Sequence, residues 1–231
     1  MTTRLTELRL KRILLAMDVS GPIPATLSLA VTLAARFEAE FQALVLAQTQ
    51  LARAAALPFA TEVSLLAGME RRLSTASLQR SLEGLSARLN AMITELTAPA
   101  RVPWSLAPAG KSAWEELLLE LGEGSLLVLG HDGHHLPVAG GPVEDGVCVL
   151  YDDSPAGHAA LALADALDRR AMPLRATSGD EPSATRILAR LKSLRPRILI
   201  LPAAFLAQHA AALRPLLTRL GCTVLVVGSE N

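Results

Sequence analysis

Short apolar runs alternate with amphipathic stretches along most of the chain. The apolar runs have the length of buried strands, and between them leucines recur at spacings of three and four, as from Leu78 to Leu96. Strands that alternate with helices imply right-handed crossovers and a parallel sheet covered by helices on both faces. The predicted strands are 13–17, 41–47, 102–107, 125–129, 147–151, 174–177, 197–201 and 223–227. The predicted helices are 25–37, 78–96, 113–121, 159–170 and 184–194.

One strand-turn-helix stretch occurs twice. Residues 13–36 can be laid on residues 147–170 without a gap by adding 134 to each number, which puts Asp18 on Asp152 and Ser20 on Ser154. Each copy is an apolar run, an Asp-x-Ser turn and an amphipathic helix. We therefore predict two related α/β halves packed as an intramolecular pseudo-dimer. The first domain would be 1–140, without a clear closing helix and strand, and the second a shortened domain, 145–231.

The charges of the chain balance, and this narrows the classes of partner. Among 231 residues, 22 are basic and 22 are acidic, so bulk charge gives no sign of a nucleic-acid or anionic-membrane partner. The hydrophobic fraction of 51% and the mean hydropathy of +0.35 are high, yet every apolar run is far shorter than the roughly 20 residues of a membrane-spanning helix. We predict no membrane span and no nucleic-acid partner.

The N-terminal residues and the two cysteines bear on the compartment. Charged residues within 1–12 stand where a signal peptide would need a continuous apolar core, which favours a cytoplasmic protein. Cys148 and Cys222 lie in or beside predicted buried strands, where an unpaired cysteine behaves as a small hydrophobe. We therefore expect two free thiols rather than a disulfide.

Two groups of residues fall just after predicted strands, at the edge where open parallel sheets bind ligands. Asp18 follows the first strand, and Gly130 to Gly133 follow the last strand of the first half. An acid can accept from a ribose or an adenine amine, and glycines let backbone N–H groups approach phosphates, so this is an adenine-nucleotide site in outline. Architecture alone gives another interpretation, in which Asp18 and Asp152 only cap helices and the glycines form a turn.

Other chemistry has less support. His131, Asp132, His134 and His135 could ligate a transition metal, but their spacing fits no specific motif. Metal binding by the loop His131–His135 is therefore a minor alternative, and no metal ligand is predicted. The sequence has no Gly-x-Ser-x-Gly elbow and no Gly-rich Walker loop, so we predict no catalytic residue and a non-enzymatic protein.

The whole pattern resembles the universal stress protein family, in a tandem form with a degenerate second half. The resembling stretches are 13–20 with the helix after it, 126–133, and 221–227, which looks like the family's closing strand. The resemblance implies two Rossmann-like halves of the adenine nucleotide alpha hydrolase-like type, each with a five-stranded parallel sheet. It also implies a stress-response role, ATP as a ligand of some members, and homodimers through the closing strand, here Thr223 to Val227.

The family's phosphate motif is incomplete in this chain. Members that bind ATP hold the phosphates with Gly-x-x-Gly, nine further residues, and Gly-Ser or Gly-Thr. Gly130 and Gly133 match the first part, but Val143 stands where the next glycine is needed. In the second half Pro202 takes the place of Gly130, and a proline has no N–H to offer a phosphate.

These departures lead us to expect weak or lost ATP binding. The alternative is an adenine-nucleotide switch or slow ATPase that uses the first half and closes the loop from His131 to Pro142 over the phosphates. In either case the resemblance puts a nucleotide's base and ribose at Ala16, Met17, Asp18 and Leu46, and its phosphates at Gly130 and Gly133.

Overall fold

The computed structural model of the chain describes residues 8–17, 24–46, 55–57, 59–63, 68, 70–108, 114–118, 121–130, 146–176, 187, 189–191, 193–194, 196–211, 213 and 222–228. The strands are β1 (Arg12–Met17), β2 (Glu40–Val45), β3 (Thr61–Val63), β4 (Glu70–Arg72), β5 (Trp104–Pro108), β6 (Ser125–Leu129), β7 (Val147–Tyr151), β8 (Met172–Arg175), β9 (Ile198–Pro202) and β10 (Thr223–Val227). The helices are α1 (Pro24–Phe37), α2 (Thr75–Thr97), α3 (Trp114–Leu118), α4 (Pro155–Leu167) and α5 (Ala203–Gln208), and the described residues between 187 and 194 are also helical.

Eight of these strands form one continuous sheet. Its order is β5-β2-β1-β6-β10-β9-β7-β8, and every neighbouring pair is parallel except β6 with β10. The other two strands, β3 and β4, form a separate antiparallel hairpin. The predicted α/β class, a parallel sheet covered by helices, is therefore confirmed.

The sheet has a hydrophobic core on each face. Successive strand residues point to opposite sides, so Ile13 and Leu15 of β1 pack with α1, α2 and α4, while Leu14 and Ala16 pack with α3 and α5. The residues of β6 and β10 divide between the two cores in the same alternating way. Burial on both faces explains why these strands are continuous apolar runs rather than alternating ones.

The two halves of the chain meet at the antiparallel pair of β6 and β10. Leu225 lies opposite Val128 at this seam, and both side chains are fully buried. Within the described residues each half contributes four strands to the sheet, where the family resemblance implies five. The predicted domain limits, 1–140 and 145–231, lie at and within a stretch outside the described residues, so they stay a prediction.

The closing strand β10 has both edges paired, one to β6 and the other to β9. The resemblance implies homodimers through this strand, Thr223 to Val227, but the chain's own β6 occupies the edge that such a dimer would use. The possible homodimer stays a prediction, and β10 has no unpaired edge with which to form it.

The repeated stretch keeps the predicted offset of 134 in its strands. Met17 ends β1 and Tyr151 ends β7, and each carbonyl accepts a 2.7 Å hydrogen bond from the residue after the neighbouring strand. The donors are the N–H groups of Leu46 and Ala176, whose numbers differ by 130. Past the turn, the two halves thus correspond by a smaller offset.

The helices follow the smaller offset as well. Ala30, Leu33 and Ala34 are buried in α1, and Ala160, Leu163 and Ala164 are buried in α4. The connection from β1 to α1 is residues 18–23, whereas that from β7 to α4 is only 152–154. The gap-free overlay therefore places the helices one turn out of register. The sequence alone does not reveal this shift, because residues four apart on a helix share a face.

Both cysteines are free and buried, as the sequence predicts. Desolvation in the core raises the pKa of the Cys148 thiol to about 11 and that of the Cys222 thiol to about 12. Both thiols are therefore protonated at neutral pH.

The helices of the described residues bear on the predicted absence of a membrane span. None of them is both long enough and apolar enough to cross a membrane.

Candidate functional site

Four of the six predicted nucleotide-binding residues lie together at the carboxyl edge of the sheet. Ala16 and Met17 end β1, Leu46 follows β2, and Gly130 follows β6. β1 pairs with both other strands, and Ala16 lies opposite Leu44 on one side and Leu129 on the other. Asp18 and Gly133, the other two predicted residues, lie outside the described residues.

This edge contains a topological switch point of the sheet. The chain leaves β1 toward β2 on one side, and β6 lies on the other side of β1. In open α/β sheets a crevice opens between two strands whose connections run in opposite directions, and ligands bind there. The described site residues therefore occupy the position where this class of fold binds small molecules.

Gly130 has a packing role that accounts for the glycine without a phosphate. A Cβ atom at this position would lie 3.1 Å from Cγ2 and 3.4 Å from Oγ1 of Thr26 in α1. Thr26 is 4% exposed, and its branched side chain has little rotamer freedom in a helix. The absence of a side chain at Gly130 lets the first turn of α1 pack closely on the end of β6.

Thr26 is not among the predicted site residues, although the sequence contains a signal for it. It lies four residues before Ala30 on the predicted helix, so it falls on the apolar face that packs on the sheet. A threonine on such a face is a polar group at a buried position. Together with Gly130 it forms the contact between helix and strand at the switch point.

The same edge in the second half is built differently. Val149 lies opposite Ile200 in the β7–β9 pair, which brings Pro202 level with Tyr151. Pro202 thus occupies the position that Gly130 has beside Met17, as the sequence predicts. Its ring nitrogen carries no hydrogen, so the backbone of residue 202 has no donor for a phosphate.

Asp152 in the second half is engaged in a helix cap. Its Oδ1 atom accepts from the backbone N–H of Ser154 at 3.1 Å and from the Ser154 hydroxyl. The Ser154 Oγ atom in turn accepts from the N–H of Gly157 at 3.0 Å, which caps the start of α4. The architectural interpretation of the Asp-x-Ser turn therefore describes Asp152.

The capped turn depends on Gly157, and the first half has no glycine at the corresponding position. A Cβ atom at Gly157 would lie 2.3 Å from both the carbonyl oxygen and Oδ1 of Asp152. By the offset of 130, the residue of α1 that corresponds to Gly157 is Leu27, which is fully buried. A turn packed as closely as that of Asp152 needs a glycine at this position, so the contacts of Asp152 do not predict those of Asp18.

Next to this turn is an exposed ion pair. The Arg175 guanidinium lies 2.6 Å from Oδ2 of Asp153, and the two side chains are 59% and 75% exposed. The hydrogen bond and the charge of Asp153 raise the pKa of Arg175 above its ordinary value. Solvent screens such a pair strongly, so it adds little to stability.

The predicted metal alternative lies outside the described residues. His131, Asp132, His134 and His135 all belong to the stretch 131–145, which the structure does not describe. In the described part of the chain, no group of three or more histidine, cysteine, aspartate or glutamate side chains is arranged to hold a metal ion.

Comparison with known proteins identifies the fold. No protein-family model matches the sequence, and no curated protein matches it. Among solved structures, a universal stress protein from Archaeoglobus fulgidus DSM 4304 is similar, with a TM-score of 0.50 and 13% sequence identity over 97% of this chain and 98% of that chain. At that identity the likeness establishes the fold alone. The chain therefore has the Rossmann-type α/β architecture seen in a universal stress protein.

Proposed function

We propose that this chain is a cytoplasmic, non-enzymatic stress-response or regulatory protein of the universal stress protein type, with weak or lost ATP binding. The observation that carries the proposal is the fold likeness to a universal stress protein over nearly the full length of both chains. The sequence resemblance at residues 13–20, 126–133 and 221–227 supports the same class independently.

Contacts at the carboxyl edge of the sheet support weak or lost ATP binding. In the first half, Gly130 accommodates Thr26, so this glycine has a structural role without any phosphate. In the second half, Pro202 has no donor, and Asp152 is bound to Ser154 in a cap. Neither half combines the acid, the two glycines and the following Gly-Ser or Gly-Thr that the family uses.

Isothermal titration calorimetry with ATP and AMP tests the binding part of the proposal. We expect no heat of binding at micromolar nucleotide for the native protein or for Asp18→Ala. Micromolar affinity that Asp18→Ala abolishes would overturn this part. Phosphate release from ATP, measured over hours, is expected to match the buffer control, and turnover by the native protein that Asp18→Ala lacks would contradict a non-enzymatic role.

Two further parts of the proposal concern the cell. We expect cell fractionation to recover the protein in the cytoplasm, and recovery from the membrane or the medium would contradict this. A stress-response role predicts that deleting the protein changes survival after starvation or oxidative stress, and normal survival under every stress tested would count against it.

The second candidate function is an adenine-nucleotide switch or slow ATPase. The observation that favours it is the position of Ala16, Met17, Leu46 and Gly130 at the switch point, where open sheets bind ligands. This candidate predicts that ATP protects the stretch from His131 to Pro142 against limited proteolysis. Cleavage at the same rate with and without ATP would remove it.

A further inference from the structure

The turn of residues 121–125 contacts the ends of three strands. The carbonyl of Gly124 accepts from the backbone N–H of Lys11 at 2.7 Å, which ties the start of β1 to this turn. Ser125, the first residue of β6, accepts from the N–H of Gly228 at 2.9 Å. β1 and β6 belong to the first half of the chain, whereas Gly228 directly follows β10 of the second half. The turn therefore connects the two halves at the amino end of β6.

Gly228 lies directly against the backbone of this turn. A Cβ atom at Gly228 would lie 2.2 Å from the carbonyl oxygen of Gly122 and 3.0 Å from that of Leu121. Both neighbours are backbone atoms, which cannot swing aside as the end of a flexible side chain can. The φ of Gly228 lies outside the left-handed region, so the space beside the turn, rather than the backbone conformation, requires a glycine at this position.

The carbonyl of Gly122 is itself held in the turn. It accepts from the N–H of Ser125 at 3.1 Å, and the neighbouring Leu121 is 1% exposed in the core that also contains Val226 of β10. A shift of this carbonyl away from a new side chain would break a hydrogen bond of the turn. A side chain at position 228 must therefore move the end of β10 away from β6 instead.

The backbone N–H groups along β10 alternate between its two neighbouring strands. Gly228 donates to Ser125 of β6, whereas Thr223 donates at 3.1 Å to Arg197, the residue before β9. The even-numbered residues thus donate toward β6 and the odd-numbered ones toward β9. The even-numbered amides are those of Val224, Val226 and Gly228, and the odd-numbered ones are those of Thr223, Leu225 and Val227. Solvent exchange of the even-numbered amides therefore reports on the seam of β6 and β10.

We propose that Gly228 and the turn of residues 121–125 form a backbone clasp that keeps the seam of β6 and β10 closed and so fixes one half on the other. The clasp lies at the amino end of β6, opposite the edge that carries the candidate site, and it does not depend on the function proposed above. Strand ends ordinarily fray, but the clasp holds this end of the seam as firmly as its middle.

Amide hydrogen exchange of the full chain, followed by NMR, tests the clasp. We expect Gly228→Ala to accelerate exchange of the even-numbered β10 amides at least about tenfold more than that of the odd-numbered ones, because the seam opens while β10 stays paired with β9. Gly122→Ala is the matched control, since a Cβ atom at Gly122 would have no atom of the described residues within 4 Å. It changes the other glycine of the contact, and it should leave both sets of amides as in the native protein.

The native protein provides a second measurement, which does not require a variant to fold. The clasp predicts that the Gly228 amide exchanges no faster than the Val224 amide at the other end of the seam. Three results would overturn the proposal: faster exchange at Gly228 than at Val224 in the native protein, native rates in Gly228→Ala, and equal acceleration of the even- and odd-numbered amides by that substitution. The last result would mean that the alanine destabilises the fold as a whole without opening the seam.

Discussion

Glycines at different places in the helices differ in what a side chain would contact. Gly157 of α4 lies against the backbone and carboxylate of Asp152, at 2.3 Å from where its Cβ would stand. Gly84, within α2, has no atom within 4 Å of the corresponding position. Backbone atoms cannot swing aside as the end of a flexible side chain can. The two glycines should therefore respond to alanine in opposite directions.

We predict that Gly157→Ala lowers the free energy of unfolding by about 3 kcal/mol, because the methyl group must push the Asp152 turn off α4. Gly84→Ala is the control, and it should raise the free energy of unfolding by about 0.5 kcal/mol through the lower entropy of its unfolded chain. Urea denaturation of the purified variants measures both. Equal stability of Gly157→Ala and the native protein would show that the turn does not pack as described.

The buried thiols predict how stability depends on pH. A cysteine in the unfolded chain has an ordinary pKa near 9.0, whereas burial raises the pKa of Cys148 to about 11 and of Cys222 to about 12. Between pH 9 and 11 the unfolded chain releases protons that the folded chain keeps. The free energy of unfolding should then fall as pH rises, by up to about 1.4 kcal/mol per pH unit for each thiol.

Urea denaturation at several pH values between 8 and about 10.5 measures this slope. Cys148→Ala should be less stable at every pH but should show a shallower decline, because one of the two thiols is gone. A decline as steep as that of the native protein would mean that Cys148 does not keep its proton in the fold.

The start of α4 is held by a series of side-chain hydrogen bonds. Asp152 accepts two hydrogen bonds from Ser154, and Ser154 accepts one from Gly157. The adjacent Asp153 makes only the exposed pair with Arg175. Two neighbouring carboxylates of the same type therefore have different structural roles.

We predict that Asp152→Ala lowers the free energy of unfolding by about 1 to 2 kcal/mol, because it removes the two hydrogen bonds that hold the capping residue Ser154 in place. Asp153→Ala should change it by less than about 0.5 kcal/mol, since screened surface pairs contribute little. Thermal unfolding of the two variants side by side gives the comparison. An effect of Asp153→Ala as large as that of Asp152→Ala would contradict the assignment.

At the scale of elements, buried strands were the easiest to predict. β6, β7 and β10 match their predicted bounds because both faces of each strand are buried, which produces a mainly apolar run of strand length. The repeated helix was harder to align. Its small apolar residues recur every four positions, so the sequence alone fits α1 to α4 equally well one turn away.

The whole molecule is held together by one sheet shared between its halves. The seam of β6 and β10 joins them, and the core on one face includes Leu225 and Val227 of β10 with Ile13 and Leu15 of β1. An apolar run does not encode which strand it will pair with. The position of β10 beside β6 rather than at a free edge therefore could not be predicted from the sequence.

The shared sheet predicts that both halves unfold in one transition. Leu225→Ala removes a fully buried side chain at the seam and should cost about 3 kcal/mol. Differential scanning calorimetry should show a single peak that moves as a whole. Leu57→Ala, at a residue 46% exposed, should barely move it. Two peaks, of which Leu225→Ala shifts only one, would show that the halves fold independently.

The sequence predicts where the candidate site lies better than it predicts the contacts within the site. The sequence correctly places Ala16, Met17, Leu46 and Gly130 at neighbouring strand ends, because the carboxyl ends of parallel strands share an edge. It does not reveal that Gly130 accommodates Thr26, since that contact depends on the rotation of α1 over the sheet. Whether the missing side chain of a glycine makes room for a ligand or for a helix therefore depends on long-range packing.

The central claim, weak or lost ATP binding in a universal-stress-protein fold, is tested most directly by native mass spectrometry of freshly purified protein. The spectrum counts the nucleotides that each chain retains, and Asp18→Ala serves as the comparison. We predict the bare mass of the chain in both samples, with no ATP or AMP retained. One ATP or AMP per native chain, absent from Asp18→Ala, would contradict the claim.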